Sequence, residues 1–201
     1  MRTMSRWTRW ALLLSLAIGP ILSVAGGVAG AAHGATLGGP FALTDARTGQ
    51  TVTDTDLHGR WLLLYFGYTF CPDVCPTDLQ KMILARGALG ADSRALTPVF
   101  VTVDPARDTT PVMAAYVALF SPDLMGLTGS QAAIDRIVLE YRVYVARQAL
   151  PGGGGGYLVN HSTFLYLVDP RGEVAEILPA SLTAAALARR LRAKMGAPGQ
   201  D

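Results

Sequence analysis

Apolar residues recur along this chain in changing registers, and each change marks where an element begins or ends. A long uncharged run comes first, from Trp10 until Asp45, with its apolar part at 11–32. Residues 41–57 then alternate apolar and polar positions around Thr48-Gly49, which predicts a short β-hairpin. The unbroken apolar run at 61–66 predicts a strand buried on both faces. A helix is expected next, opening at the second of two cysteines and covering about 77–89. Residues 98–103 read as a second buried strand, closed by Asp104-Pro105. Thr110-Pro111 opens a helix through Phe120, because proline in a first turn has no hydrogen bond to lose. A third helix is expected at 130–140 and a strand at 143–146. A last hairpin covers 162–168 and 174–178 around Arg171-Gly172. The final helix carries Leu187, Leu191 and Met195 at helical spacing. Strands alternating with helices, then a hairpin and a helix, predict an α/β fold with a central mixed sheet flanked by helices and an extra N-terminal hairpin. No internal repeat is evident.

Composition changes the picture mainly at the N-terminus. The 201 residues make one domain's worth of chain plus an appendage. A hydrophobic content of 50% and a mean hydropathy of +0.31 are high for a soluble domain, and the first run accounts for much of the excess. Arg2, Arg6 and Arg9 precede it, and its apolar part is about long enough to span a bilayer. Basic residues ahead of such a segment stay in the cytoplasm, which sends the rest of the chain outward. Ala29-Gly-Ala31 fits a signal-peptidase site, while Ser15, Pro20, Ser23 and the glycines weaken a permanent anchor. Residues 1–35 are therefore read as a signal peptide or an N-terminal membrane anchor with linker, 36–196 as the folded domain and 197–201 as a disordered tail. No cysteine ends the apolar run, which argues against a lipid-modified N-terminus. The formal net charge of +2 falls to −1 without the three N-terminal arginines, so charge points to no polyanionic partner. The cluster Arg189, Arg190, Arg192 and Lys194 falls on the polar side of the last helix, as a solvated face does, and no nucleic-acid binding is expected.

The candidate chemistry lies in the only two cysteines, Cys71 and Cys75, directly after the buried strand at 61–66. Strand, tight turn and helix start would place two thiols at the carboxyl edge of a sheet beside a helix N-terminus, where thiolate is favoured over thiol. Two such sulfurs can form a disulfide or hold a soft metal ion. Cys-x-x-Cys is the common redox spacing. The extra residue here brings the second sulfur back over the first by one helical step, and lets the pair open around an ion. Two cysteines cannot complete a zinc site, which needs four ligands, but two thiolates and one imidazole suit Cu(I). The bland alternative is a pair of buried cysteines with no task; the flanking prolines and the helix start argue against it.

Three histidines compete to be that imidazole. His33 lies in the small-residue stretch of the N-terminal segment. His58, in Asp56-Leu-His-Gly59, reads as a solvated turn residue. His161 follows the glycine run at 152–156 and precedes Ser162-Thr-Phe-Leu-Tyr-Leu-Val168, a strand by composition. A histidine at the mouth of a strand, delivered by a pliable loop, can reach a neighbouring strand end. Five consecutive glycines predict a mobile approach to it in the metal-free protein.

Three segments together resemble the Sco/SenC copper proteins, in that family's order, over roughly residues 36–196. They are Phe66-Gly-Tyr-Thr-Phe-Cys-Pro-Asp-Val-Cys-Pro-Thr77, Val101-Thr-Val-Asp-Pro-Ala-Arg-Asp-Thr109 and Asn160-His-Ser-Thr-Phe-Leu-Tyr-Leu-Val-Asp-Pro170. The resemblance implies a thioredoxin-like fold, with copper bound as Cu(I) or Cu(II) by Cys71, Cys75 and His161. It implies a role in assembling the binuclear copper site of cytochrome c oxidase, by copper delivery, thiol reduction or both. The implied partners are the copper-bearing oxidase subunit or another copper chaperone, on the periplasmic side of a bacterial inner membrane. Asp73 matches the motif as well; its carboxylate would tune the site from beyond the ligands or cap the helix. The glycine run departs from the family's pattern and leaves the ligands untouched.

A rival reading is a thiol peroxidase or general disulfide reductase on the same fold. Val74-Cys-Pro-Thr77 is similar to the peroxiredoxin motif, which places a threonine three residues ahead of the attacking cysteine. Those positions hold Tyr68 and Pro72 here, so the peroxide-positioning hydroxyl is missing. A reductase would need neither the wider cysteine spacing nor His161. Asp104, Arg107 and Asp108 are explained by caps and turns, and their place at a strand end also lets them border the site.

Overall fold

The computed structural model describes residues 37–151 and 156–196. The expectations for residues 1–35, for the glycines at 152–155 and for the tail lie outside the described residues. None of the described helices is long and apolar enough to cross a membrane.

A seven-stranded mixed sheet organises the domain. The N-terminal hairpin pairs β1 (Ala42–Asp45) with β2 (Thr51–Thr53), turning at Gly49, whose φ of +71° favours glycine. The apolar run forms β3 (Trp61–Gly67), followed by α1 (Val74–Gly87) and β4 (Leu96–Thr102). Then come α2 (Thr110–Ala118), β5 (Met125–Thr128) and α3 (Gln131–Glu140). A separate hairpin joins β6 (Val145–Ala149) to β7 (Tyr157–His161), and the chain ends with β8 (Phe164–Val168), β9 (Val174–Pro179) and α4 (Ala184–Met195). The order across the large sheet is β2-β1-β5-β4-β3-β8-β9. The middle strands β3, β4 and β5 are parallel, and the outer ones are antiparallel. The extra hairpin thus extends one edge of the sheet, through β1 against β5.

Strand β3 lies between β4 and β8 and is covered on both faces, which is why its sequence is apolar throughout. Alternation sends Tyr65 and Phe100 to one face, where they meet each other, and where Phe100 meets Tyr116 of α2. Phe66 points to the other face, against Tyr141 at the end of α3 and Tyr166 of β8. These interlocked aromatics make the centre of the core. Helix caps follow the sequence closely: Ser130 accepts from the Ala133 N–H, Thr183 from that of Ala186, and Pro111 stands in the first turn of α2.

Several sequence expectations shift. Helix α1 begins at Val74, ahead of the second cysteine, rather than near 77. The strand expected at 143–146 starts at Val145 instead. Residues 142 and 143 are used to close α3: the Arg142 and Val143 N–H groups donate to the Leu139 and Val138 carbonyls, with Arg142 at φ +51°. Strands β5 and β7 are additional. The first is four residues long and interrupted by Gly126, and the second emerges from the glycine run without alternation to announce it. The basic cluster on α4 is exposed, and two of its members have structural tasks. Arg190 pairs with Glu176, and Arg192 donates to the Ala88 carbonyl at the end of α1 at 2.7 Å.

Candidate metal centre

Strand β3 ends at Gly67, and the loop 68–73 carries the chain to α1. Cys71 lies in this loop, half-buried, and Cys75 in the first turn of the helix, with 0% exposure. A β-carbon on Gly67 would lie 2.9 Å from the Cys75 sulfur and 2.8 Å from the Phe100 ring. Glycine is therefore what lets the helix start settle against the strand end.

His161 is the last residue of β7 rather than the entrance to the following strand. It nevertheless reaches the thiols. Its Nε2 lies 3.3 Å from the Cys75 sulfur, and the ligand atoms of Cys71, Cys75 and His161 lie within 4.8 Å of one another. This is the group of metal-ligating side chains that the described residues bring together. His58 packs instead over Gly172, at the far turn before β3, and His33 lies outside the described residues.

The tautomer of His161 follows from its other nitrogen. Nδ1 is 3.0 Å from the Ser162 carbonyl, which can only accept, so Nδ1 carries the proton and Nε2 presents its lone pair to the sulfurs. Burial holds the imidazole below its ordinary pKa, opposed by the Ser162 carbonyl and by Asp78. A neutral ring with a free Nε2 is the ligating form. Tyr65 and Tyr68 meet the ring edge-on, both at 6.1 Å between centroids.

Cys75 corrects one expectation. Burial pushes its thiol well up, with the neighbouring Cys71 adding to the rise and hydrogen bonds from Tyr68 and Tyr65 opposing it. Burial of the sulfur thus disfavours a preformed thiolate at Cys75, where the helix start predicts one. Both cysteines are free in this structure.

Asp73 occupies the N-cap position of α1, but its side chain makes no capping hydrogen bond. Exposed, it lines the site mouth with Pro72, Val74, Leu158 and Asn160, around a cavity of about 270 Å³. Its backbone carbonyl accepts from the Thr77 hydroxyl at 3.3 Å.

Three supports were not legible from spacing. Asp108, buried, accepts from the Thr69 N–H (3.0 Å), the Thr69 hydroxyl (2.6 Å) and the Thr102 hydroxyl (2.6 Å), pinning the cysteine loop to the end of β4. Asp78, one helical turn beyond Cys75, accepts from the Tyr65 hydroxyl at 2.8 Å and pairs with Lys81 at 2.7 Å. The Tyr68 hydroxyl accepts from the Val159 N–H at 3.3 Å, joining the cysteine loop to the histidine strand. The second Asp of Asp-Pro-Ala-Arg-Asp was the one available signal, and only as a border residue.

Residues 29–196 match the family model described as SCO1/SenC. The chain is 46% identical over 142 residues to human "Protein SCO1 homolog, mitochondrial", covering 68% of this chain and 46% of that protein. It is 45% identical over 137 residues to "Protein SenC" of Rhodobacter capsulatus, covering 68% and 61%. The chain thus spans about half the length of the curated relatives it matches. Among solved structures, Bradyrhizobium japonicum ScoI with copper bound superposes with a TM-score of 0.72 at 38% identity, over 79% of this chain and 99% of that one.

Proposed function

Because the chain belongs to the SCO1/SenC family, we propose that it binds one copper ion through Cys71, Cys75 and His161 and serves in assembling the copper site of cytochrome c oxidase. The observation that carries this reading is the convergence of two sulfurs and a half-buried imidazole, its Nε2 turned to the sulfurs, with all three ligand atoms within 4.8 Å of one another at one sheet edge. Two soft sulfurs and one nitrogen fit Cu(I), and the imidazole extends the set to Cu(II). Copper is cargo in this reading, to be received and handed to a copper-bearing oxidase subunit or another chaperone. The same cysteines, free and adjacent, can also reduce a target disulfide by closing their own. Asp73, at the mouth, is the charged group through which an incoming partner would first sense the site. We place the domain on the periplasmic side of a bacterial inner membrane, reached through residues 1–35 as signal or anchor.

A thiol peroxidase finds less support. Thr69, the threonine nearest Cys71, already donates its hydroxyl to Asp108, and the positions three residues ahead of the two cysteines hold Tyr68 and Pro72.

The test is an anaerobic copper titration of the reduced full-length protein beside His161→Ala. The wild type should bind one equivalent of either ion, with a thiolate-to-Cu(II) absorption band. His161→Ala should weaken Cu(II) at least about 10-fold and Cu(I) less, since imidazole is the harder ligand. Equal Cu(II) affinity in both proteins would remove His161 from the site.

A further inference from the structure

Among the described residues the hairpin that carries His161 shares no hydrogen-bonded ladder with the seven-stranded sheet; its backbone joins that sheet only after His161, through Thr163, whose carbonyl accepts from the Ala180 N–H at 3.1 Å, and β8. The ties ahead of His161 are made through side chains. Asp104, directly beyond β4, has 0% exposure, and a buried carboxylate requires donors. Arg107 supplies one from the same loop, through Nε. The hairpin supplies the others from both of its strands: the Tyr157 hydroxyl lies 2.8 and 3.1 Å from the two Asp104 oxygens, and Arg147 Nη2 lies 3.4 Å from one. Arg107 completes the closure, donating to the Tyr157 carbonyl at 3.0 Å with its guanidinium 3.8 Å from the centre of the Tyr157 ring.

Strand periodicity connects this cluster to the ligand. Tyr157, Val159 and His161 stand two residues apart and face the same side of β7. Tyr157 docks on Asp104 and Arg107, Val159 donates to Tyr68, and His161 meets Cys75. One strand of five residues is thus fastened at its start, and its end is brought to the sulfurs.

We propose that Asp104, Arg107 and Tyr157 form a clamp that holds the β6–β7 hairpin over the two cysteines and thereby positions His161. The inference rests on the copper-site reading for its consequence but not for its geometry. All three act as positioning residues through the hairpin.

The experiment uses the full-length, reduced, metal-free protein. Nuclear Overhauser cross-peaks between the His161 ring and the Cys75 β-protons report the placement directly. Tyr157→Phe keeps the ring beneath Arg107 and deletes only the hydroxyl; Asp104→Asn keeps the shape and removes the charge. Both should weaken those cross-peaks severalfold. Leu187→Ala, a cavity in helix α4, which carries neither a clamp residue nor a ligand, should lower stability and leave them intact. With Cu(II), both clamp variants should lose about 10-fold in affinity and move the thiolate band toward that of His161→Ala. Unchanged cross-peaks in Tyr157→Phe would overturn the proposal, even if Asp104→Asn failed to fold. Equal loss in Leu187→Ala would overturn it too, since His161 would then follow global stability. Were Cys75→Ser to keep full copper affinity while the clamp variants lost their cross-peaks, the copper reading would fail and the clamp would stand.

Discussion

Replacing Cys75 by serine will abolish tight copper binding, for both Cu(I) and Cu(II). Its sulfur lies 3.3 Å from the His161 Nε2, beside Gly67, with no exposure to water. A serine hydroxyl is a hard, weakly acidic substitute, poorly matched to a soft ion. The loss should exceed the ~10–100-fold that removing an outer partner of a ligand costs. Anaerobic Cu(I) competition titration of the full-length variant measures it, and retained affinity would put the site elsewhere. Oxidation should act through the same atom. A Cys71–Cys75 disulfide leaves no thiolate to ligate, so the oxidised protein should take up no copper until a reductant is added. Equal uptake by oxidised and reduced forms would contradict the assignment.

Gly67→Ala should damage stability and site together. The new methyl would meet the Cys75 sulfur at 2.9 Å and the Phe100 ring at 2.8 Å, closer than real β-carbon contacts. Phe100 is buried and packed against Tyr65 and Tyr116, so the ring has little freedom to yield. Overpacking of this kind costs roughly 1–3 kcal/mol. The first turn of α1 is the softer side, and its movement would carry Cys75 away from His161. Urea unfolding should therefore show a lower midpoint, and Cu(I) titration a weaker site. Normal stability with normal copper affinity would mean that the helix start adjusts without moving the sulfur.

How much of this was legible varies with the reach of the interaction. The buried strands β3 and β4, the hairpin around Gly49, helix α2 with proline in its first turn, and the capped helices α3 and α4 are written in local pattern. A strand buried on both faces has no polar positions, and a cap needs only one residue type at one place. Strand β5 was not legible, because four residues around Gly126 become a strand only when β1 and β4 supply partners on either side. Strand β7 was hidden for a similar reason: among the described residues its one partner is β6, across the glycine run.

The sequence by itself determined which side chains carry chemistry: two cysteines four residues apart after a buried strand, and one histidine with no turn or leader to explain it. It determined that much because such residues are few and their neighbours set the local elements. Only the tertiary structure decided their state and placement. It buries Cys75 enough to raise its thiol, because desolvation disfavours the charged thiolate when water is excluded. It fastens the cysteine loop to Asp108, thirty-nine residues from Thr69, and the histidine hairpin to Asp104, fifty-three residues from Tyr157. Contacts across such separations leave no periodic trace in the chain, since they depend on where strand ends meet rather than on which residues are neighbours.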